Sequence, residues 1–261
     1  LSKVMLHKWE EPCISGTNGS GAIFFAGCSL RCAFCQNWEI SHMRKGLPVD
    51  IDRLRDIFDE LADQGAHNIN LVNPTHFVPF IQKAFKRYQK RIPVVYNTHG
   101  YDSLDALHRM DGIVDVYLPD LKYTYSLPAR RYSSAPNYFE VAKVAIDEMF
   151  RQVGPVQYDE NGLLKKGVII RHLVLPGQLE NTKAVIDYVS AHFPPHTVLF
   201  SLMSQYTPQP GASGALARRL NHAEYRAAVR YMTDCGITDG FCQELSSAKE
   251  EYTPAFDLQG I

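Results

Sequence analysis

Three of the six cysteines lie within eight residues, and their spacing is the feature of the sequence best suited to carry chemistry. Cys28, Cys32 and Cys35 form the pattern C-x3-C-x2-C in residues 27–37, GCSLRCAFCQN. Thiolates on one short loop can surround a single small metal centre. A disulfide-based scaffold is usually shorter and richer in cysteine than this chain. The sequence therefore predicts that these three cysteines ligate metal.

Two kinds of metal centre are compatible with three clustered cysteines. Structural zinc needs four ligands, and His42 is the only other candidate close by, seven residues beyond Cys35. A 4Fe–4S cluster normally takes one cysteine per iron, so three cysteines would leave one iron open to another ligand. Cys13 is predicted to be a small buried residue, but as a fourth ligand it would close the cluster. The spacing alone leaves these alternatives open.

Composition excludes some classes of protein and favours others. The 261 residues are close to the roughly 250 that are typical of a β/α barrel. The 27 basic and 28 acidic side chains almost cancel, which argues against a protein that binds nucleic acid mainly through phosphate groups. No apolar run approaches the roughly 18 residues of a membrane span, and no signal peptide is evident. We expect a cytoplasmic protein without membrane partners. Because the chain begins at Leu1, we also expect that an upstream segment is missing.

Short apolar runs alternate with longer amphipathic segments along the chain, which predicts a parallel sheet covered by helices. The runs are residues 22–26, 68–72, 94–96, 114–118, 168–175 and 198–202, and the predicted helices are residues 51–61, 78–88, 137–150, 181–192 and 221–235. Asn181 and Asn221 are predicted N-caps, and Gly65 and Gly236 are predicted to follow helix ends. Residues 156–166 are predicted to form an inserted hairpin around Asn161-Gly162, and residues 1–21 a lead-in to one α/β domain.

Polar residues follow each predicted strand. Because active sites of parallel β/α folds form at the carboxyl ends of the strands, we predict that these residues share one site for a charged ligand. Besides the cysteine loop, the candidates are Asn73 and Thr75 after the second run, Asn97 after the third, Asp120 and Lys122 after the fourth, Arg171 in the fifth and Ser204 after the sixth. His172 follows Arg171 directly, so it should face the opposite side of its strand.

The cysteine motif includes an aromatic residue, Phe34, and in this form it resembles the radical S-adenosylmethionine (SAM) superfamily. Residues 7–41, HKWEEPCISGTNGSGAIFFAGCSLRCAFCQNWEIS, are more specifically similar to the branch of pyruvate formate-lyase activating enzyme. The resemblance implies a partial (β/α)6 barrel of the radical SAM type, with an extra strand and the inserted hairpin as possible additions. It also implies two cofactors, a 4Fe–4S cluster and SAM.

The resemblance assigns roles to individual residues. Cys28, Cys32 and Cys35 would hold the cluster, Phe34 would lie against the adenine of SAM, and Asn37 would lie beside the cofactor. Asp120 and Lys122 occupy the positions of the Asp-x-Lys of activating enzymes and would serve catalysis, while Arg171 would face the cofactor. The remaining cofactor contacts are assigned to Asn73, Thr75, Asn97 and Ser204, and a monovalent cation is expected near Asp120.

Three of these positions depart from the family pattern. The usual Gly-Gly-Glu-Pro after the second strand is replaced by Asn73-Pro74-Thr75-His76. Asn97 stands where activating enzymes carry an acid, which leaves Asp120 as the one carboxylate for a cation. The histidine expected after the sixth strand is absent, and Ser204 is the nearest match.

The reaction implied by the resemblance is reductive cleavage of SAM. One electron passes from the reduced cluster to the sulfonium, and the 5′-deoxyadenosyl radical that forms abstracts hydrogen from a substrate. The electron donor would be flavodoxin or ferredoxin, and the substrate a glycyl radical enzyme, another peptide or a small molecule. The alternative is a non-catalytic iron–sulfur protein, an electron carrier or redox sensor, with Cys13 as the fourth ligand.

Overall fold

A computed structural model describes residues 1–244 and 254–261, which form an α/β structure around one sheet. The strands of the sheet are β1 (Lys3–His7), β2 (Ser20–Phe24), β3 (Ile69–Val72), β4 (Val94–Thr98), β5 (Val116–Pro119), β6 (Gln157–Tyr158), β7 (Leu164–Leu173), β8 (Leu199–Met203) and β9 (Gly240–Cys242). The α-helices are α1 (Pro12–Ser15), α2 (Trp38–Ser41), α3 (Ile51–Asp63), α4 (Val78–Phe85), α5 (Leu104–Met110), α6 (Ser126–Ser133), α7 (Tyr138–Val153), α8 (Leu179–His192) and α9 (His222–Asp234).

The order of strands in the sheet follows the order in the chain, β1-β2-β3-β4-β5-β7-β8-β9, with β6 attached to β7. Pairing is parallel from β2 to β9, so the six predicted strands form an open, partial barrel. This confirms the predicted fold class. Two further strands extend the sheet, β1 beside β2 and β9 beside β8, where one extra strand was expected. The predicted hairpin is present where β6 pairs antiparallel with the start of β7.

Side chains alternate between two environments along each strand, as the pleat requires. Val94, Tyr96 and Ile170 pack against the outer helices in the main core, whereas Val95 and Ile169 belong to a second cluster on the opposite face of the sheet. We call the space enclosed by this second face the lumen. Polar residues two positions further along these strands, such as Asn97 after Val95 and Arg171 after Ile169, therefore also project into the lumen.

Residues 1–21 add a strand to the sheet and a short helix to the lumen. β1 pairs antiparallel with β2, and the short helix α1 inserts Cys13 and Ile14 into the apolar cluster of the lumen. The side chain of Asn68 donates to the carbonyl of Ile14 at 2.8 Å and so fixes the helix to the barrel. One end of the lumen is thus closed by the chain's own N-terminal segment, which the periodicity of the sequence did not indicate.

Most of the predicted helix ends agree with the structure. Asn221 caps α9 in a capping box with Glu224, and Gly65 and Gly236 have positive φ just beyond α3 and α9. The prediction for Asn181 is wrong, because α8 begins at Leu179 and Asn181 lies inside its first turn. Its side chain instead contacts a neighbouring loop, described below. No helix in the described ranges combines the length and apolar character of a bilayer span.

The α1 plug gives a test of the fold. Ile14 is 1% exposed, and replacing it by Ala should lower the free energy of unfolding by about 3 kcal/mol, because the truncation leaves a cavity among rigid strands. The matched control is Leu127→Ala at a side chain that is 75% exposed, which should change stability by less than about 0.5 kcal/mol. Denaturant unfolding of both variants measures the difference, and equal losses would show that α1 does not pack as described.

Candidate active site

A cavity of about 250 Å³ lies at the carboxyl ends of the parallel strands and contains most of the predicted site residues. Those that line it are Cys28, Cys32, Phe34, Cys35, Asn37, Asn73, Asn97, Asp120, Lys122 and Arg171. The structure therefore brings together residues that are up to 143 positions apart in the sequence, from Cys28 to Arg171. Thr75 and Ser204 do not line this cavity.

The cysteine loop, residues 27–37, connects β2 to α2, and each of its three sulfurs has a hydrogen-bond partner. The backbone N–H of Leu30 lies 3.4 Å from Sγ of Cys28. The hydroxyls of Ser133 and Ser41 lie 3.0 Å from Sγ of Cys32 and 3.2 Å from Sγ of Cys35. When the sulfurs are thiolates, these three groups donate to them.

Burial raises the pKa of all three thiols, that of Cys32 to about 12. The thiols are therefore protonated in the free protein at neutral pH, and binding of a metal centre to them must release protons.

The loop is docked on α6 by its backbone as well as by its sulfur. The N–H of Ala33 donates to the carbonyl of Tyr132 at 2.8 Å, next to the contact between Cys32 and Ser133. The Ser133 hydroxyl also lies 2.8 Å from the hydroxyl of Tyr123. A chain of hydroxyls thus runs from the buried Tyr123 through Ser133 to the sulfur of Cys32.

Asp120 lies between two cations. Its Oδ2 accepts from Nζ of Lys122 at 2.5 Å, and its Oδ1 accepts from Nε of Arg171 at 3.2 Å. The three side chains are between 13% and 17% exposed. Burial by itself would raise the pKa of Asp120, but Lys122 and Arg171 more than offset it, so that pKa is lowered. Burial likewise opposes the charge of Lys122, but the carboxylate of Asp120 raises its pKa. All three groups are consequently charged at neutral pH.

The turn from Asp120 to Lys122 is fixed by groups from three other elements. The hydroxyl of Tyr138 lies 2.6 Å from the carbonyl of Asp120 and accepts from the N–H of Lys122 at 3.1 Å. Asn181 donates to the carbonyl of Lys122 at 3.0 Å. Gly100, after β4, has φ of 77° and packs against the carbonyl of Asp120, where a Cβ atom would overlap it. The Asp-x-Lys turn therefore has little freedom to move.

The amides after β3 and β4 occupy different surroundings. Asn73 has a left-handed backbone, and its side chain donates to the carbonyl of Gly27 at 2.5 Å. Its buried Oδ1 has no hydrogen-bond partner among residues 1–244 and 254–261. Asn97 accepts from Arg171 at 2.5 Å. Both amides contribute to the wall of the cavity. The unpartnered oxygen of Asn73 is an acceptor that suits a ligand with an ammonium or N–H group.

Two predicted site residues make contacts elsewhere. The hydroxyl of Thr75 donates to Oδ1 of Asp102 at 2.7 Å, and that of Ser204 donates to the carbonyl of Glu244 at 2.8 Å. His172 faces α8, as the alternation along the strand predicts, and its ring nitrogens contact Leu121 and Thr182.

Both oxygens of Asp120 are bonded to Lys122 and Arg171, which would have to yield to a bound cation, and we assign no monovalent cation to this position. Within residues 1–244 and 254–261, no three side chains of His, Cys, Asp or Glu are placed to share one metal ion.

Sequence reasoning missed two contributors to the site. Gln36 donates from its side chain to the carbonyl of Gln205 at 2.8 Å and so ties the cysteine loop to the end of β8. Glu10 reaches the lumen from the segment between β1 and α1 and contacts Arg171 at 3.2 Å. Gln36 belongs to the cysteine loop that follows β2, but it was not singled out within that loop. Glu10 does not follow a parallel strand, so the rule that located the other candidates could not find it. The two adjacent carboxylates, Glu10 and Glu11, before a proline were the only signal.

The close packing of Gly100 gives a test of how the Asp-x-Lys turn is held. Gly112 has nearly the same φ, 76°, but has open space where a Cβ would lie. Gly112→Ala should cost about 1 kcal/mol of stability from the left-handed backbone alone. Gly100→Ala should cost about 3 kcal/mol, because the methyl group also displaces Asp120. Denaturant unfolding compares the two, and similar losses would contradict the close approach.

Comparison with known proteins identifies the family. The family model described as the radical SAM superfamily matches residues 22–189. An uncharacterized protein of Methanocaldococcus jannaschii is 32% identical over 242 residues, which cover 87% of this chain and 65% of that protein. The chain therefore spans less than two thirds of the length of this relative.

Solved structures show the same fold at low sequence identity. SuiB of Streptococcus suis, in a crystal structure with S-adenosylmethionine, has a TM-score of 0.57 and 13% identity over 88% of this chain and 52% of its own. A domain of pyruvate-formate lyase-activating enzyme from Bacteroides vulgatus has a TM-score of 0.50 and 15% identity over 67% of this chain and 98% of its own. Together with the match to the family model, the partial barrel and its cysteine loop show that this chain belongs to the radical SAM superfamily.

Proposed function

We propose that this protein binds a 4Fe–4S cluster through Cys28, Cys32 and Cys35 and cleaves SAM reductively for hydrogen abstraction. The observation that carries the proposal is the shared cavity. Three cysteines of one loop line the same space as the charged group of Asp120, Lys122 and Arg171. Membership of the superfamily implies both cofactors, and the shared cavity supports these residues as the ones that would bind them.

The residues present fit a cluster with one iron left open. Cys13, the candidate fourth ligand, lies in the apolar plug of the lumen and does not line the cavity. His42, the extra ligand that zinc would need, bonds to Ser41 and stacks on Trp38 with ring centroids 3.6 Å apart. A cluster with Cys13 as its fourth ligand would therefore require Cys13 to leave its packing in the lumen. A zinc site would require His42 to leave its contacts with Ser41 and Trp38.

The charged groups suit the amino-acid part of SAM. Arg171 and Lys122 supply the positive charge that a carboxylate needs, Arg171 as a planar fork and Lys122 as a point charge. The Oδ1 of Asn73, which has no partner in the described part of the chain, lies in the cavity wall and is an acceptor for an amino group. Asp120 keeps both cations charged and in place through its two hydrogen bonds.

The apolar part of the cavity suits the nucleoside. Phe34 is 6% exposed and lines the wall beside the cysteines, where its ring is available to an adenine. When both cofactors are bound, the cluster supplies one electron and SAM supplies a 5′-deoxyadenosyl radical. The residues of the chain orient the cofactor, hold its charges and exclude water from the reacting atoms.

The proposed substrate is a glycyl radical enzyme, on the similarity of residues 7–41 to activating enzymes, and a small molecule or another peptide is the alternative. We propose flavodoxin or ferredoxin as the electron donor.

Reconstitution tests the proposed cofactors directly. The anaerobically reconstituted protein should contain about four irons per chain, and dithionite with SAM should release 5′-deoxyadenosine. Cys32→Ala should abolish both results, because one ligand of the cluster is lost. Cys13→Ala is the matched control, a second buried cysteine, and should retain both.

Two outcomes would contradict the proposal. A fully loaded protein that does not cleave SAM would exclude the radical reaction. Loss of the cluster in Cys13→Ala would favour the alternative of a non-catalytic iron–sulfur protein with four cysteine ligands.

The hydroxyl chain to Cys32 predicts a shift in reduction potential. A hydrogen bond to a ligand sulfur stabilises the more negative, reduced cluster and so raises its potential. Removing the Ser133 hydroxyl, which lies 3.0 Å from Sγ of Cys32, should lower the potential by on the order of 40 mV, the equivalent of about 1 kcal/mol for one electron. Ser190→Ala, on the exposed side of α8, is the control and should leave it unchanged. A redox titration in which Ser133→Ala matches the parent would exclude this hydrogen bond.

A further inference from the structure

The carboxylate of Glu10 is the least expected group in the lumen, because it comes from the segment between β1 and α1. Its Oε1 accepts from the side-chain amides of Asn97 at 3.0 Å and Asn70 at 3.2 Å. Its Oε2 accepts from one terminal nitrogen of Arg171 at 3.2 Å. The side chain is 10% exposed, so these contacts are largely shielded from water.

The backbone around Glu10 is fixed, so the carboxylate is delivered to a defined place. The N–H of Glu10 donates to the hydroxyl of Ser15 at 3.0 Å, across the short helix α1 that begins at Pro12. That helix is itself anchored through Asn68 and through the burial of Ile14. The plug and the carboxylate therefore form one structural unit.

Glu10 completes the set of groups that holds Arg171. The guanidinium donates through Nε to Asp120, through one terminal nitrogen to Glu10 and through the other to Asn97. A guanidinium has five N–H groups, one on Nε and two on each terminal nitrogen. One N–H on each terminal nitrogen thus has no partner in the described part of the chain. The two terminal nitrogens of a guanidinium together bind a carboxylate through both oxygens when the N–H groups that point away from Nε are free.

Glu10 also balances the buried charge. Lys122 and Arg171 are the two cations, and Asp120 and Glu10 are the two carboxylates that contact them. The buried carboxyl of Glu11 also acts electrostatically on Arg171. Removing the charge of Glu10 would make the surroundings of the guanidinium more positive, which by itself would favour binding of an anion. The negative charge of Glu10 therefore opposes binding of a carboxylate ligand, whereas its hydrogen bond to Arg171 favours binding by orienting the guanidinium.

We propose that Glu10 is a positioning residue for Arg171, and that it orients the guanidinium so that its two remaining N–H groups bind the carboxylate of SAM. This inference rests on the proposed function. Glu10 itself does not touch the cofactor in this arrangement. Its contribution is the orientation of the arginine, with Asn70 and Asn97 fixing the carboxylate in turn.

The sign of the change in SAM affinity distinguishes orientation from charge. In Glu10→Gln the amide can still accept from Asn97, but the nitrogen that replaces Oε2 cannot accept from Arg171. Orientation predicts weaker binding, with the dissociation constant for SAM raised about tenfold, the loss typical of a broken hydrogen bond to a charged group. A purely electrostatic role predicts equal or tighter binding.

A second substitution can move the carboxylate instead of removing it. Asn97 already contacts both Glu10 and Arg171, so the double variant Glu10→Gln with Asn97→Asp keeps one carboxylate beside the guanidinium. We expect its dissociation constant to return to within about threefold of the parent value. Asn97→Asp alone should bind SAM more weakly than the parent, because it sets two carboxylates about 3 Å apart.

The experiment is equilibrium dialysis of SAM with each reconstituted protein, with iron content measured in the same samples to show that the cluster is intact. Glu160→Gln, in the exposed turn of the hairpin, is the matched control and should bind as the parent does. Asn70→Ala removes one neutral contact to Glu10, and an affinity loss of about threefold would support the inference even if Glu10→Gln did not fold.

Two results would overturn the inference while leaving the proposed function intact: SAM affinity of Glu10→Gln equal to or above that of a parent protein that binds SAM, or no recovery in the double variant. Failure of the parent protein itself to bind SAM would instead count against the proposed function, and the two failures are thus distinguishable.

Discussion

Two cations remain charged inside the lumen of this barrel because a carboxylate lies between them. Asp120 bonds to Lys122 on one side and to Arg171 on the other, and its own pKa is lowered by their charges despite its burial. Removing any member would leave an unbalanced charge that is largely shielded from water, which is strongly destabilising. The rest of the site is built around this group, since the cysteine loop, the two asparagines and Glu10 all border the same space.

The scaffold restricts this group from several directions. Tyr138 and Asn181 bond to the turn that carries Asp120 and Lys122, and Gly100 allows the turn to approach β4 closely. On the opposite side, the plug formed by α1 closes the lumen and delivers Glu10 to Arg171. The N-terminal segment is thus part of the site as well as of the fold. A rigid polar site of this kind orients a charged ligand at little cost in conformational entropy.

Much of this architecture follows from local patterns in the sequence. Apolar runs such as residues 94–96 mark buried parallel strands, and the rule that sites form at strand ends placed Asp120, Lys122 and Arg171 on one cavity. The sequence did not predict the contacts of side chains that do not follow a strand. Asn181 looks like an N-cap in sequence, but α8 begins two residues earlier and the amide is free to bond to the turn at Lys122.

Other differences have the same origin in tertiary contacts. Ser204 follows β8 as a site residue should, yet its hydroxyl bonds to the carbonyl of Glu244, just beyond the edge strand β9. The hydroxyl of Thr75 likewise bonds to Asp102. Short polar side chains after a strand can form hydrogen bonds to nearby protein groups or face a ligand. Which of the two occurs depends on the neighbouring groups in the fold.

The central claim is that three sulfurs hold a cluster and leave its fourth iron to the amino-acid end of SAM. Electron paramagnetic resonance of the dithionite-reduced protein tests it most directly, with SAM labelled by ¹⁷O in its carboxylate or ¹⁵N in its amino group. The account predicts that SAM changes the spectrum and that both labels couple to the cluster. A spectrum that SAM does not alter, or an iron already bound by a fourth protein side chain, would contradict it.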